Sequence, residues 1–122
     1  MLVYEGGENL RLHPFATSQG LSGLKRVLIA QGMLGGKNRE RQSLHFAKTS
    51  WIRSPKAGMF HWVRQSGQKV QKGEILGYIS DAFGLEKHPV LANRDGHIIG
   101  HSNLPIVTQG DALFHLAYEP IE

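Results

Sequence analysis

The feature that most restricts what this chain can fold into is an imperfect internal repeat. Trp51-Ile52-Arg53-Ser54-Pro55-Lys56-Ala57-Gly58-Met59-Phe60-His61-Trp62-Val63, followed by Val70-Gln71-Lys72-Gly73-Glu74-Ile75-Leu76-Gly77-Tyr78-Ile79, has a second version downstream. That version is Val90-Leu91-Ala92-Asn93-Arg94-Asp95-Gly96-His97-Ile98-Ile99, followed by Val107-Thr108-Gln109-Gly110-Asp111-Ala112-Leu113-Phe114-His115-Leu116. Gly58 maps onto Gly96 at an offset of 38, whereas Val70, Gly73, Leu76 and Ile79 map onto Val107, Gly110, Leu113 and Leu116 at an offset of 37. Each copy reads as strand, glycine-centred turn, strand, then a Val-x-x-Gly-(Glu/Asp) turn and a further strand. Alternation of Ile75, Gly77 and Ile79 with Leu76, Tyr78 and Ser80, and of Leu113, His115 and Ala117 with Ala112, Phe114 and Leu116, predicts strands of period two. Neither half can bury its apolar face alone, so the pair is expected to pack face to face about an approximate two-fold axis.

Size permits such a core. The chain has 122 residues, 40% of them hydrophobic, enough for one domain without metal or disulfide staples. Cysteine is absent, so disulfides, thiolate zinc sites, iron-sulfur ligation and thiol catalysis are excluded within this chain. The longest uncharged run, Gly96 to Gly110, contains Pro105, two histidines and several polar residues, which is unsuited to spanning a bilayer. Acids rather than bases follow Met1-Leu2-Val3-Tyr4, and no apolar run resembling a secretory signal comes after them, so a cytoplasmic protein is expected.

The net charge of +4 resides in residues 1–50, which hold seven Lys or Arg against Glu5, Glu8 and Glu40. Gly35-Gly36-Lys37-Asn38-Arg39-Glu40-Arg41-Gln42-Ser43 has no apolar residue to bury and reads as linker. The chain is therefore divided into 1–34, a basic linker at 35–50, and a β domain at 51–122. In the first segment Leu2-Val3-Tyr4 is a strand candidate, and a helix is predicted from about Ser18, as amino-terminal cap, to Gln31, with Gly32 as its stop. Leu21, Leu24, Val27 and Leu28 would share one helix face. One strand and one helix make no core, so residues 1–34 read as a strand-helix remnant of an α/β domain, and exposure of their apolar side chains points to a homo-oligomer.

The double pattern of a glycine turn followed by Val-x-x-Gly-(Glu/Asp)-x-Leu resembles the barrel-sandwich hybrid of biotinyl and lipoyl carrier domains. The fold class expected is thus mainly β, a barrel-sandwich hybrid of two pseudo-symmetric halves. Those carriers modify a lysine eleven residues before the glycine that Gly96 matches, and that position is Leu85 here. The nearest lysine, Lys87, stands in Leu85-Glu86-Lys87-His88-Pro89, which matches neither carrier motif, so neither biotin nor lipoate is expected.

Tyr4-Glu5-Gly6-Gly7-Glu8-Asn9-Leu10-Arg11, a helix ending in Gln31-Gly32-Met33-Leu34, a basic linker and a barrel-sandwich together resemble the carboxy-terminal portion of the succinylglutamate desuccinylase/aspartoacylase family. The resemblance implies a zinc-dependent amide hydrolase acting on a small acylated substrate, in which Glu5 is the catalytic general base and acid. It also implies that the zinc ligands, a His-x-x-Glu motif and a later His, and the substrate-binding arginines lie upstream. No His-x-x-Glu occurs in the chain, so no metal ligand is assigned and the chain alone is expected to be inactive. The alternative is a stand-alone barrel-sandwich module for binding or assembly.

Other features have plainer readings. His97 and His101 share parity on a strand and could face one side, but a third ligand is missing; His13, His45, His61, His88 and His115 show no ligand spacing. The basic run with Lys37, Arg39, Arg41 and Lys48 reads as solvated linker rather than a nucleic-acid surface, and no membrane partner is expected. Trp51, Phe60 and Trp62 read as core or interface anchors.

Overall fold

A computed structural model describes residues 1–8, 10–38 and 42–121. The chain divides into two compact units, Met1–Ser43 and Leu44–Glu122.

In the first unit a single helix, α1 (Pro14–Ala30), starts four residues before the predicted cap. His13 caps it in extended conformation, its Nδ1 accepting from the Ala16 amide at 3.2 Å, and Pro14 opens the first turn, where a missing amide hydrogen costs nothing. Ser18 lies inside the helix, its hydroxyl donating to the Phe15 carbonyl. The stop is as expected: Gly32 takes φ 71°, its amide donates to the Ile29 carbonyl, and the Met33 amide donates to the Leu28 carbonyl. These two bonds form a Schellman cap. The strand expected at Leu2-Val3-Tyr4 does not form, because a strand needs a hydrogen-bonding neighbour and no described segment supplies one. The predicted apolar face is largely open, with Leu21, Leu24 and Val27 exposed and Ala16 the one buried residue of the helix.

The second unit is mainly β. Its strands are β1 (His45–Arg53), β2 (Gly58–Trp62), β3 (Lys69–Val70), β4 (Ile75–Ser80), β5 (Lys87–Leu91), β6 (Gly96–His101), β7 (Ile106–Val107) and β8 (Ala112–Ile121). They form two four-stranded antiparallel sheets, ordered β1-β8-β6-β3 and β5-β4-β2-β7. Exchanging β1 with β5, β2 with β6, β3 with β7 and β4 with β8 converts one order into the other, which is the two-fold relation the repeat predicted. β1 begins at His45, so residues 45–50 belong to the sheet rather than to a linker. This part of β1 pairs with Ser50↔Leu116 through His45↔Ile121, and because most of its residues are exposed it carries no hydrophobic alternation. Arg39, Glu40 and Arg41 of the expected linker lie outside the described residues.

The core pairs by the same exchange: Ile52 with Val90, Phe60 with Ile98, Val70 with Val107, Leu76 with Leu113, and Ile79 with Leu116. Strict period two fails at Leu76 and Leu113. Each is an extra residue in a bulge, between the Ile75↔Leu91 and Gly77↔Val90 pairs and between the Arg53↔Ala112 and Ile52↔Phe114 pairs respectively. The bulge lets both Leu76 and Ile79, and both Leu113 and Leu116, reach full burial. Phe114 matches Gly77 in the repeat. Its ring meets that of Phe60 edge-on at 5.7 Å, while a Cβ at Gly77 would lie 3.1 Å from Phe60 Cε2 and 2.7 Å from the His61 carbonyl oxygen.

The two Val-x-x-Gly-(Glu/Asp) turns are built alike. Gly73 and Gly110 sit at φ 85° and 91°, a region that L side chains rarely adopt. The Glu74 carboxylate accepts from the Gln71 amide at 2.9 Å and the Asp111 carboxylate from the Thr108 amide at 2.7 Å. Each turn is then bonded to the other half of the repeat. Gly73 N donates to Ala92 O and Ala92 N to Glu74 O; Gly110 N donates to Ser54 O and Ser54 N to Asp111 O.

Gly58 and Gly96 owe their identity to close approach: a Cβ at Gly58 would clash with the Ser80 carbonyl oxygen, and one at Gly96 would lie 2.5 Å from the Ala117 carbonyl oxygen. Gly96→Ala is expected to cost about 1–3 kcal/mol in urea unfolding, as backbone must shift. Gly100→Ala, four residues along the same strand with its nearest neighbour 3.9 Å from the new methyl, stays within about 0.5 kcal/mol. Asp111→Ala is expected to cost about 1 kcal/mol by the same measurement, and Asp111→Asn, which keeps an acceptor oxygen, less.

Candidate functional site

Glu5 lies on a segment fixed to the start of α1 rather than at the end of a strand. The Tyr4 hydroxyl donates to the Ala16 carbonyl at 2.7 Å, and the Tyr4 ring lies over Gly20, where a Cβ would stand 2.8 Å from Tyr4 Cε1. Gly7 closes the other side, where a Cβ would be 3.2 Å from His13 Cβ. Glu5 is exposed between these two anchors, and no described group hydrogen-bonds it. Its carboxylate is thus open to solvent, on a backbone that helix contacts hold in place. Tyr4 and Gly20 are the residues that the sequence reading missed. The available signal was a glycine inside a helical pattern, which costs about 1 kcal/mol against alanine and calls for a packing reason.

The histidines do not converge. A bulge between Ile98 and Gly100 breaks the parity that placed His97 and His101 on one side of β6. His97 lies 5.1 Å from the Phe46 ring, whereas His101 lies 4.7 Å from Trp62 and 6.2 Å from the buried Phe114. His115 stacks on Trp51 with ring centroids 4.1 Å apart and planes 9° from parallel, so Trp51 is a half-exposed outer-face platform and not a core anchor. Phe60 is buried, and Trp62 packs partly buried against the core. Among the described residues no three His, Asp or Glu side chains come together in a way that would hold a metal ion.

The segment joining the halves is a tight hairpin between β4 and β5. Asp81 Oδ1 accepts from the amides of Leu85 at 2.8 Å and Glu86 at 3.3 Å, and Gly84 N donates to Asp81 O. Leu85 and Phe83 are exposed at its tip. Lys87 is already in β5, paired with Ser80. Glu86 faces His88 at 3.4 Å and Lys56 at 3.5 Å, and these two groups, His88 first, hold its carboxyl below the usual carboxylate range. Lys48 belongs to β1 and not to a basic linker: it bonds Glu119 at 2.8 Å, which raises its ammonium pKa. No described helix is long and apolar enough to cross a membrane.

No family model matches the sequence, and no curated protein matches it. Solved structures do. A succinylglutamate desuccinylase/aspartoacylase from Rhodobacter sphaeroides superposes with a TM-score of 0.74 at 22% identity, over 88% of this chain and 37% of that one. The ectoine utilization protein EutE (DoeB) from Ruegeria pomeroyi, in its product-bound form, gives 0.74 at 22% identity, over 87% and 34%. A succinylglutamate desuccinylase/aspartoacylase family protein from Shewanella amazonensis gives 0.77 at 18% identity, over 91% and 33%. At such identities the likeness is one of fold, and the chain spans about a third of the length of these structures. This protein therefore has the fold of a one-third portion of structures of the succinylglutamate desuccinylase/aspartoacylase type.

Proposed function

We propose that this chain is the carboxy-terminal portion of an amide hydrolase of the deacylase type, with Glu5 as its general base and acid. One observation carries this reading. The second unit has 79 of the 122 residues, yet superposition on these structures covers 87–91% of the chain, so the likeness extends beyond the second unit into the helix unit. A free-standing barrel-sandwich module would leave the helix unit without a counterpart. In this reading residues 1–34 belong to the catalytic α/β domain, and the two-sheet unit is its barrel-sandwich hybrid.

The chemistry assigned to this chain is proton transfer. An exposed carboxylate takes a proton from water as it attacks the amide carbonyl, then hands it to the leaving amine. The described residues do not suit a zinc ion, since the separated His97, His101 and His115 supply no common site, and no step is derived through the metal. Zinc ligands and substrate-binding arginines are assigned to upstream sequence. The substrate class is a small acylated amino acid, and the setting is cytoplasmic. The open Leu24 and Val27 side of α1 is assigned to burial against the rest of the catalytic domain or, in the chain alone, against a second copy.

Two measurements test this. Calorimetric titration of the 122-residue chain with zinc is expected to show no tight one-to-one binding; a tight site would make the chain a self-contained metalloprotein and end the proposal. With the upstream coding sequence joined on, hydrolysis of N-acylated amino acids is expected. Glu5→Gln should then lower kcat by about 10²- to 10⁴-fold with little change in KM. Full activity in Glu5→Gln would remove Glu5 from the mechanism.

A further inference from the structure

A separate site lies on the other side of α1. The Schellman cap at Gly32 reverses the chain, and Gly36 returns against the helix, so close that a Cβ there would lie 3.1 Å from Ile29 Cδ1. This return places Lys37 along the face formed by Ser18, Ser22, Lys25 and Arg26 and closes a groove of about 410 Å³. The helical spacing of i, i+4, i+7 and i+8 puts those four side chains in one row. Arg26 is already oriented, its Nη1 donating to Ser22 Oγ at 3.0 Å. Leu21 and Ile29 form the apolar borders, and no carboxylate is among the described residues that line the groove.

Three cations facing one groove repel one another, and a single carboxylate neutralises one of them. Guanidinium and ammonium groups that offer only donors fit the closely spaced oxygens of linked phosphates. The volume falls within the range of small-ligand sites. The geometry points to a binding site for a small polyphosphate anion, its phosphates on Lys25, Arg26 and Lys37 and its organic part against Leu21 and Ile29. This inference is independent of the hydrolase reading, because it uses neither Glu5 nor the sandwich.

The test is calorimetry of the whole chain with inorganic tripolyphosphate at low ionic strength. One-to-one saturable binding is expected, weakened about tenfold or more in Lys25→Ser/Lys37→Ser with the helical circular dichroism unchanged. Lys69→Ser/Lys72→Ser removes the same charge from the exposed surface of the sandwich and should leave the affinity intact. Gly36→Val, which displaces Lys37 without altering charge, should weaken binding as well. Absence of saturable binding, or equal weakening by the two lysine pairs, would overturn the proposal. So would preferential binding of a single-stranded oligonucleotide of matching charge, which would assign the groove to nucleic acid.

Discussion

The two-sheet unit depends on backbone hydrogen bonds that cross between its halves at the two acidic turns. Gly73 and Glu74 bracket Ala92 with a donor and an acceptor, and Gly110 and Asp111 bracket Ser54 in the same way. A half folded alone would leave all of these groups without their partners, and a buried amide or carbonyl left unpaired costs about 1–3 kcal/mol. Ala92 and Ser54 are both nearly fully buried, so water is a poor substitute there. The bonds also fix register. With the turns held at Ala92 and Ser54, the bulges at Leu76 and Leu113 fall immediately after them and turn the apolar side chains inward.

The repeat was legible because the crossing bonds need particular residues. Glycine is required at positive φ, an acidic side chain accepts the turn amide three residues back, and a valine at the turn entrance is buried. All three leave a mark on the sequence at 70–74 and again at 107–111. The end of α1 was legible for a similar reason, since Gly32 both stops the helix and bonds back to it. Features whose cause lies in another segment were not. The start of β1 at His45 depends on the long tail of β8, and the helix start depends on His13 and Pro14 rather than on the better-known serine cap. The His97 and His101 parity fails because a bulge adds Ile99 between the paired residues, and nothing in the local sequence marks that insertion.

At the candidate site the sequence shows which residue types are present but not what holds them. Glu5 followed by two glycines identifies a carboxylate on a tight segment. What holds that segment is a tyrosine hydroxyl on the first turn of α1 and a helix glycine that makes room for its ring, a contact sixteen residues long in sequence. Such a tether confines the Glu5 carboxylate while leaving it open to solvent. The same helix carries the basic groove on its opposite side, with the exposed Leu21 at the groove's edge.

Phe114 and Gly77 occupy matching places in the two halves, and both lie against Phe60: the Phe114 ring meets it edge-on, whereas at Gly77 even a Cβ would come within 3.1 Å of its ring. The halves are therefore no longer interchangeable. A phenylalanine in the place of Gly77 would force the backbone to shift, because its Cβ alone would lie 2.7 Å from the His61 carbonyl oxygen, and a glycine in the place of the buried Phe114 would leave a hole in the core. A symmetric dimer of a half-length chain, the simplest ancestor of such a fold, could not be restored by cutting this one at the hairpin. Once one half holds a ring where the other has no room for a methyl group, duplication becomes a one-way step.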